Sequence, residues 1–404
     1  MVAKKKSHRS NAKKNILVIA GEHSGDLIGS DLLQELSSIE PDFHFYGIGG
    51  EGMIQNGLES LEEMENLSVI GFSEAIKKYS FLKKVFYKVL DETSHRPTQL
   101  AILIDYPGFN LRLAKELKKR GIQTVFYVSP QIWAWKFKRI FFIKEHIALM
   151  LTLFRFEEEI YLEYGVNAKF VGHPITKRIP EKLKKEPIIP EKLPDPHHGY
   201  TVGLLPGSRK GEIHRLIDPI LGTTVLLHEQ CKLEKKKIVF LLPNINQKEE
   251  TFLLNKINAV KQLHPDIQIH YLWNSSLRVM EASDLLLIAS GTATLEGLYF
   301  ETPMVILYKV SLFTYFLGSL LIKSKFIGLA NILCGQEVCR EITQNECRPE
   351  YIVSEAWKIL SNVKLRNKIK GILRETKERE LGTNNASKKA AKEIQSMLKL
   401  IPSD

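Results

Sequence analysis

The chain predicts an α/β protein built from two doubly wound parallel sheets, and three observations lead there. Short apolar runs alternate with helix-like segments, once before residue 179 and again after residue 199, and such βα alternation implies parallel strands. At 404 residues the chain exceeds the size at which a single core stops growing, so two domains are expected. Between Pro180 and Pro196 the alternation stops, and five of the 17 prolines stand there among Lys and Glu, as in a linker. The expected division is a basic tail over 1–14, an N-terminal domain over 15–178, a linker over 179–199, a C-terminal domain over 200–348 and helices over 349–404. That last segment is charged and helix-periodic, and is expected to pack on either domain or on a second subunit.

In the first half, residues 16–20, 100–104 and 124–128 suit strands buried on both faces, with helices expected over 26–37 and 110–119. In the second half, strands are expected over 201–205, 238–242, 267–272, 285–289 and 304–308. Apolar residues make up 44% and charged residues 25%, which is the balance of a globular chain rather than a disordered one. The net charge of +11 is the deviation. Part of it lies in Lys4, Lys5, Lys6, Arg9, Lys13 and Lys14, a tail either solvated or touching anionic lipid. The remainder suits phosphate-bearing ligands, an anionic membrane surface or nucleic acid.

Cys231, Cys334, Cys339 and Cys347 form no CxxC pair and no metal-ligand spacing with His, which points to a reduced cytosolic setting. The first apolar run passes directly into Gly21 and Glu22 and so lacks the core of a signal peptide. The uncharged apolar stretch 310–322 has thirteen residues, short of the roughly 20 that a spanning helix requires. The expected protein is cytoplasmic and not integral to a membrane.

In open α/β sheets ligands bind beyond the carboxyl ends of strands, so the residues after each run matter most. The segment 284–296, DLLLIASGTATLE, joins a buried strand to a small-residue turn and an early-helix acid. Ser290, Gly291, Thr292 and Thr294 at a helix opening can receive a diphosphate, and Glu296 can accept the hydroxyls of a ribose. The same residues also suit a capped βα turn with no ligand. After residues 201–205 come Gly207, Ser208 and Arg209, then Glu212. No Walker lysine follows, so ATP hydrolysis is not supported, whereas a Gly/Ser turn with a guanidinium suits a diphosphate leaving group. A plain surface arginine is the alternative.

After the first strand come Gly21, Glu22, His23, Ser24, Gly25 and Asp26, in GxxxG and not GxGxxG spacing, which disfavours a dinucleotide and hence an oxidoreductase. Ser24 or Asp26 capping the next helix explains this turn equally well, with Glu22 and His23 left to face a cleft. Asp105 follows residues 100–104 and is either a general base or a helix cap. Four polar turns in two sheets imply a cleft between domains. No DxD motif occurs and no His/carboxylate spacing stands out, so no metal or cofactor is expected, and Arg209 with helix dipoles is left to hold phosphate.

Two surfaces mix aromatics with cations. Trp133, Trp135, Phe137 and Phe141 are interleaved with Lys136, Lys138 and Arg139; Phe313, Phe316, Leu317 and Leu320 recur at helical spacing between Lys309 and Lys323. Core packing, an interfacial lipid contact and base stacking on a single strand of nucleic acid all use such residues. Aliphatic residues outnumber flat ones, which favours lipid and leaves a nucleic-acid-binding protein as the alternative function.

Seven ordered blocks resemble the lipid-A-disaccharide synthases, bacterial glycosyltransferases: AGEHSGD at 20–26, EEMENLSVIGF at 62–72, IDYPGFN at 104–110, YVSPQIWAWKFKR at 127–139, FVGHP at 170–174, LLPGSRKGEI at 204–213 and ASGTATLE at 289–296. The resemblance implies a GT-B fold with two Rossmann-like domains facing a central cleft, the second binding a UDP sugar and the first the acceptor. It implies that 2,3-diacylglucosamine 1-phosphate (lipid X) attacks UDP-2,3-diacylglucosamine with inversion, giving a β-1,6 disaccharide 1-phosphate and UDP. It makes Asp105 the base, Glu22 and Ser24 members of the first-loop motif, and Arg209, Glu296 and Asn331 (in LANILCG) donor-side residues. It also implies a peripheral place on the inner face of the cytoplasmic membrane, contact with anionic lipids, and a homodimer exchanging C-terminal segments. The chain departs from the pattern at His23, where a small residue is usual, at Gly108, where a second acid is often found, and at Ala330, where Pro is common. Loss of that acid leaves the tuning of Asp105 without a source in its own loop.

Overall fold

The computed structural model describes residues 14–67, 72–189, 193–195, 198–310, 325–383 and 385–399. They form two compact units, Met1–Pro174 with Thr383–Asp404, and Ile175–Gly382. In the first unit the order is β1 (Lys14–Ala20), α1 (His23–Ile39), β2 (Phe43–Gly49), α2 (Glu51–Gln55), β3 (Leu58–Glu63), α3 (Phe72–His95), β4 (Thr98–Ile104), α4 (Pro107–Lys119), β5 (Gln123–Tyr127), α5 (Arg139–His146), β6 (Leu149–Thr152), α6 (Arg155–Glu163) and β7 (Ala168–Phe170). The strands form one parallel sheet in the order β3-β2-β1-β4-β5-β6-β7. Chain order therefore reverses between β1 and β4. Their register sets Ala20 beside Ile104, so the loops after both strands emerge side by side.

The second unit contains α7 (Ile175–Leu183), β8 (Gly199–Leu205), α8 (Lys210–Leu233), β9 (Lys237–Asn244), α9 (Glu250–Leu263), β10 (Gln268–Trp273), α10 (Ser276–Ala282), β11 (Leu285–Ala289), α11 (Ala293–Tyr299), β12 (Met304–Tyr308) and β13 (Glu341–Thr343). Its sheet is also parallel, in the order β10-β9-β8-β11-β12-β13, with the reversal between β8 and β11. Leu205 lies beside Ile288 there.

Strands at the two reversals are buried along their unbroken apolar runs, as a sheet covered on both faces requires: Leu17 to Ala20, Leu100 to Ile104 and Leu285 to Ile288 are almost solvent-free. Helix α1 shows the complementary pattern, burying Ile28, Leu32, Leu33 and Leu36 at helical spacing. Its Asp26 does not cap it. The residue before α1 is Glu22, with no side-chain cap, and the buried Asp26 carboxylate instead accepts the backbone N–H groups of Gly50 (2.8 Å), Gly52 (3.1 Å) and Met53 (3.0 Å) at the start of α2. Three otherwise orphaned donors are thus satisfied by one charge.

Two expected boundaries differ from the structure. Residues expected in the linker continue α7 to Leu183, with Pro180 inside the helix, because α7 packs on α10 and α11 and that packing compensates for the missing proline N–H. Within 349–404, helix Pro349–Ser361 packs on α8 and helix Val363–Leu381 packs on α11, both in the second unit. Only helix Ala386–Leu398 joins the first unit, burying Ala390, Ala391 and Ile394 against α1. The second aromatic surface, with Phe313, Phe316, Leu317 and Leu320, and most of the basic tail lie outside the described residues.

Asp26→Ala leaves three N–H groups unpaired in the interior and is expected to cost about 3 kcal/mol of stability, measurable as a lowered midpoint of urea unfolding with unchanged slope.

Candidate functional site

At the first reversal, the turn after β1 presents Glu22, His23 and Ser24 at the exposed start of α1, and the turn after β4 presents a half-buried Asp105. Asp105 and Tyr106 both adopt left-handed backbone, each with φ of 49°. Two consecutive non-glycine residues in that region store strain, which is held here by neighbours: the Asp105 N–H donates to the Tyr127 carbonyl (2.9 Å), and Asn110 Nδ2 donates to the Asp105 carbonyl (2.8 Å). The Tyr106 ring lies where a side chain on Gly21 would stand, 2.6 Å from an added Cβ, so the glycine permits the two turns to approach. Tyr106 itself occupies the cap position of α4 with no side-chain cap, so Asp105 is not the helix cap.

Burial pushes the Asp105 carboxyl above the ordinary carboxylate range, and the nearby charge of Glu22 pushes it further. Glu22 thus supplies from the neighbouring turn the second carboxylate that Gly108 removes from the Asp105 loop. An added Cβ on exposed Gly108 meets nothing within 4 Å, so the position has room for the missing acid.

At the second reversal a cavity of about 600 Å³ opens between the turns after β8 and β11, within the range of small-ligand sites. Gly207, Ser208, Arg209 and Glu212 line it from one side, and Ser290, Gly291, Thr292 and Glu296 from the other. Gly207 has φ of 109°, and an added Cβ would lie 2.6 Å from Glu212 Oε2, so only glycine fits this turn. The Glu212 carboxylate reaches back to accept the N–H groups of Ser208 and Arg209 (3.3 Å each) and pairs with the Arg209 guanidinium (3.2 Å). Glu212, expected to contact the donor, therefore occupies two backbone donors that a phosphate would use. Among the described residues the Arg209 guanidinium has no other ion pair, and its side chain is 86% exposed. Asn246 Nδ2 donates to the Ser208 carbonyl (2.9 Å), and Asn244 Oδ1 accepts the Asn246 N–H (2.9 Å), which ties the turn to the end of β9.

Burial also raises the Glu296 carboxyl; Lys182 opposes that rise and Glu186 adds to it. Lys182, Lys185 and Glu186 line the cavity but fell in the expected linker, where prolines among charges gave no signal of a site. Two expected contacts are corrected. Thr294 is fully buried and its hydroxyl donates to the Gly291 carbonyl (2.8 Å), so it shapes the turn instead of facing a ligand. Asn331 is likewise buried: its amide nitrogen donates to the Cys339 carbonyl (2.7 Å) and to Glu341 (2.9 Å), and its oxygen accepts from Val338 (3.0 Å) and Cys339 (2.9 Å). No hydrogen-bonding capacity remains for a ligand. Its influence runs through Glu341, which accepts the Ile327 and Gly328 N–H groups, while the Ile327 carbonyl accepts from Ser290 Oγ.

The aromatic segment after β5 divides in two. Trp133 turns inward, its indole N–H donating to Glu157 (3.1 Å) and its ring edge-on to Phe156, and is therefore not part of an exposed lipid-facing surface. Trp135 stays 43% exposed, with Lys136 Nζ 4.5 Å and the Arg139 guanidinium 5.3 Å from its ring, and Lys138 is exposed beside them. Burial pushes the Cys231 thiol up to about 11 and Cys339 to about 12, which keeps both protonated. Among the described residues, no cluster of three His, Cys, Asp or Glu side chains gathers, and no helix is long and apolar enough to cross a membrane.

A family model of the lipid-A-disaccharide synthetases matches residues 16–395, a span that includes both reversals and both pairs of polar turns. The chain belongs to the lipid-A-disaccharide synthase family. Members are UDP-sugar glycosyltransferases of lipid A synthesis. A lipid-A-disaccharide synthase from Coxiella burnetii is 35% identical over 387 residues, covering 96% of this chain and 99% of its own length. One from Alcanivorax borkumensis is 38% identical over 340 residues, covering 84% of this chain and 86% of its own. Among solved structures, a putative UDP-N-acetylglucosamine 2-epimerase from Listeria monocytogenes aligns with a TM-score of 0.60 at 12% identity, covering 97% of this chain and 98% of that one. The glycotransferase of kitacinnamycin aligns with a TM-score of 0.56 at 13% identity, covering 95% and 98%. Those likenesses show the fold, which is GT-B with two Rossmann-like sheets, as the sequence leads one to expect.

Burial pushes the Glu157 carboxyl beneath Trp133 up to about 7, the indole N–H opposing the rise. The folded state binds this proton more tightly than the unfolded chain does, so the stability it contributes is present at acidic pH. That stability is lost as pH rises from the ordinary carboxylate range through about 7. Glu157→Gln is expected to flatten the pH dependence of the unfolding free energy by on the order of 3 kcal/mol between pH 4 and 8, read from urea titrations across that range.

Proposed function

We propose that this family member transfers 2,3-diacylglucosamine from its UDP derivative to the 6-hydroxyl of 2,3-diacylglucosamine 1-phosphate, with inversion. The observation carrying the chemistry is the pairing of Asp105 with Glu22 at the first reversal, which gives a strained, half-buried carboxylate held above its usual range. A base so placed takes the proton of the acceptor hydroxyl while that oxygen bonds to the anomeric carbon and the bond to the UDP oxygen breaks. UDP departs with the electron pair and the proton stays on Asp105. In this reading Ser24 and His23, which are exposed beside Glu22, meet the acceptor.

Donor binding falls to the cavity at the second reversal. Glu296 accepts ribose hydroxyls, and Arg209 with Ser208, Ser290, Gly291 and Thr292 receives the diphosphate, where a guanidinium stabilises charge developing on the leaving oxygens. Glu212 must give way or share its N–H partners when the diphosphate enters. No metal enters this scheme.

Acylated substrates lie in a membrane, and the exposed Trp135 with Lys136, Lys138 and Arg139 suits an anionic lipid surface, the ring entering the interface and the cations meeting phosphates. A peripheral position on the inner face of the cytoplasmic membrane follows from this reading. An exchanged homodimer would place helix Ala386–Leu398 on a partner copy of α1.

Asp105→Asn is expected to lower turnover by about a hundredfold or more while UDP affinity is retained, measured by UDP release from the two acylated substrates and by UDP titration. Retained turnover removes Asp105 as base. Because the base must be unprotonated, the rate should rise with pH through a midpoint above the ordinary carboxylate range, and Glu22→Gln should move that midpoint to lower pH.

A further inference from the structure

We propose that Lys182 and Lys185 form a second cationic wall of the donor cavity and, together with Arg209, bind the diphosphate of a nucleoside diphosphate; this rests on the donor-site reading above. Both lysines line the cavity that Gly207, Arg209 and Glu296 share. They come from the end of α7 and the residues after it, a segment that is pinned to the second unit from two directions. The Glu186 carboxylate accepts the backbone N–H groups of Leu277 (3.2 Å) and Arg278 (2.9 Å) at the start of α10, and the Arg278 guanidinium returns to the Leu183 carbonyl (2.9 Å). These bonds fix the backbone between the two lysines, so the cations are presented to the cavity rather than carried on a loose tether.

Charge balance gives the lysines their role. Apart from them, the charged residues lining the cavity are one cation, Arg209, and three carboxylates, Glu186, Glu212 and Glu296. Arg209 is already paired with Glu212, whose carboxylate also takes the Ser208 and Arg209 N–H groups. A cavity so lined repels a diphosphate. Lys182 and Lys185 bring the lining to three cations against three carboxylates and remove that repulsion, and neither makes an ion pair among the described residues, so their ammonium groups are available to phosphate oxygens. Lys182 is also the cation that acts on Glu296, the acid proposed for the ribose, and both line the same cavity.

Lys184 supplies an internal control, because it is exposed on the same segment and does not line the cavity. Calorimetric titrations of the full chain with UDP, UMP and uridine, at low and high salt, test the assignment. The Lys182→Ala/Lys185→Ala double variant is expected to bind UDP about tenfold more weakly at low salt, with a smaller deficit at high salt and no change toward uridine. Lys184→Ala should stay within about twofold of the unaltered protein, and Lys182→Arg/Lys185→Arg should restore most of the affinity. Unchanged UDP affinity in the double alanine variant, with Arg209→Ala still weakening UDP, overturns the lysine wall and leaves the donor site standing. An equal loss toward uridine also overturns it, since that marks a disturbed fold rather than a lost phosphate contact. Absence of UDP binding by the unaltered protein overturns the donor-site reading and the lysine wall together.

Discussion

A parallel sheet that grows outward in both directions has one seam where consecutive crossovers leave for opposite sides, and in this chain the seams fall where Ala20 lies beside Ile104 and Leu205 beside Ile288. Nothing covers the carboxyl ends of the strands at such a seam, so two loops meet over a gap that helices cannot fill. Glu22 and Asp105 meet over the first, and Arg209 and Glu296 over the second. The sites exist because the strand order leaves these places open. The side chains then determine what each opening can hold.

Acidic residues divide accordingly. Asp26, Glu186 and Glu341 each give their carboxylate to two or more backbone N–H groups, fixing the starts of α2 and α10 and the turn at Ile327 and Gly328. Such acids are structural, since their oxygens are already engaged. Asp105 and Glu296 stand half-buried with their proton affinity raised, where a substrate hydroxyl rather than a backbone amide can complete their shell. Glu212 falls between the two groups, bound to its own turn yet open to the cavity.

Strands at the seams were legible because burial on both faces leaves unbroken apolar runs, and the turns after them were legible because strand and turn adjoin in sequence. Three of the four edge strands were not: β3 reads LESLEE and presents no apolar run, and β7 and β13 have three residues each, whereas β10 at the fourth edge was expected over 267–272. The use of a side chain was less legible than its place. Asn331 looks free in sequence, yet Val338, Cys339 and Glu341 in the next turn of chain consume its hydrogen bonds, and the Thr294 hydroxyl is taken within its own turn by the Gly291 carbonyl. Trp133 and Trp135 are two residues apart in one aromatic run, yet Glu157, from α6, draws only the first inward. The prolines around α7 concealed both a helix and the lysines at and just beyond its end.

The first unit closes only with helix Ala386–Leu398, which covers α1 after the whole of the second unit has intervened in the chain. During synthesis on a ribosome the N-terminal sheet therefore emerges early but cannot be capped until more than 200 further residues have left the exit tunnel. For that interval the apolar side of α1 that Ala390, Ala391 and Ile394 will bury is open to chaperones, and the second unit has time to fold first. Covalently the second unit is an insertion into the first, and the last helix acts as a fastener that records that both halves are complete.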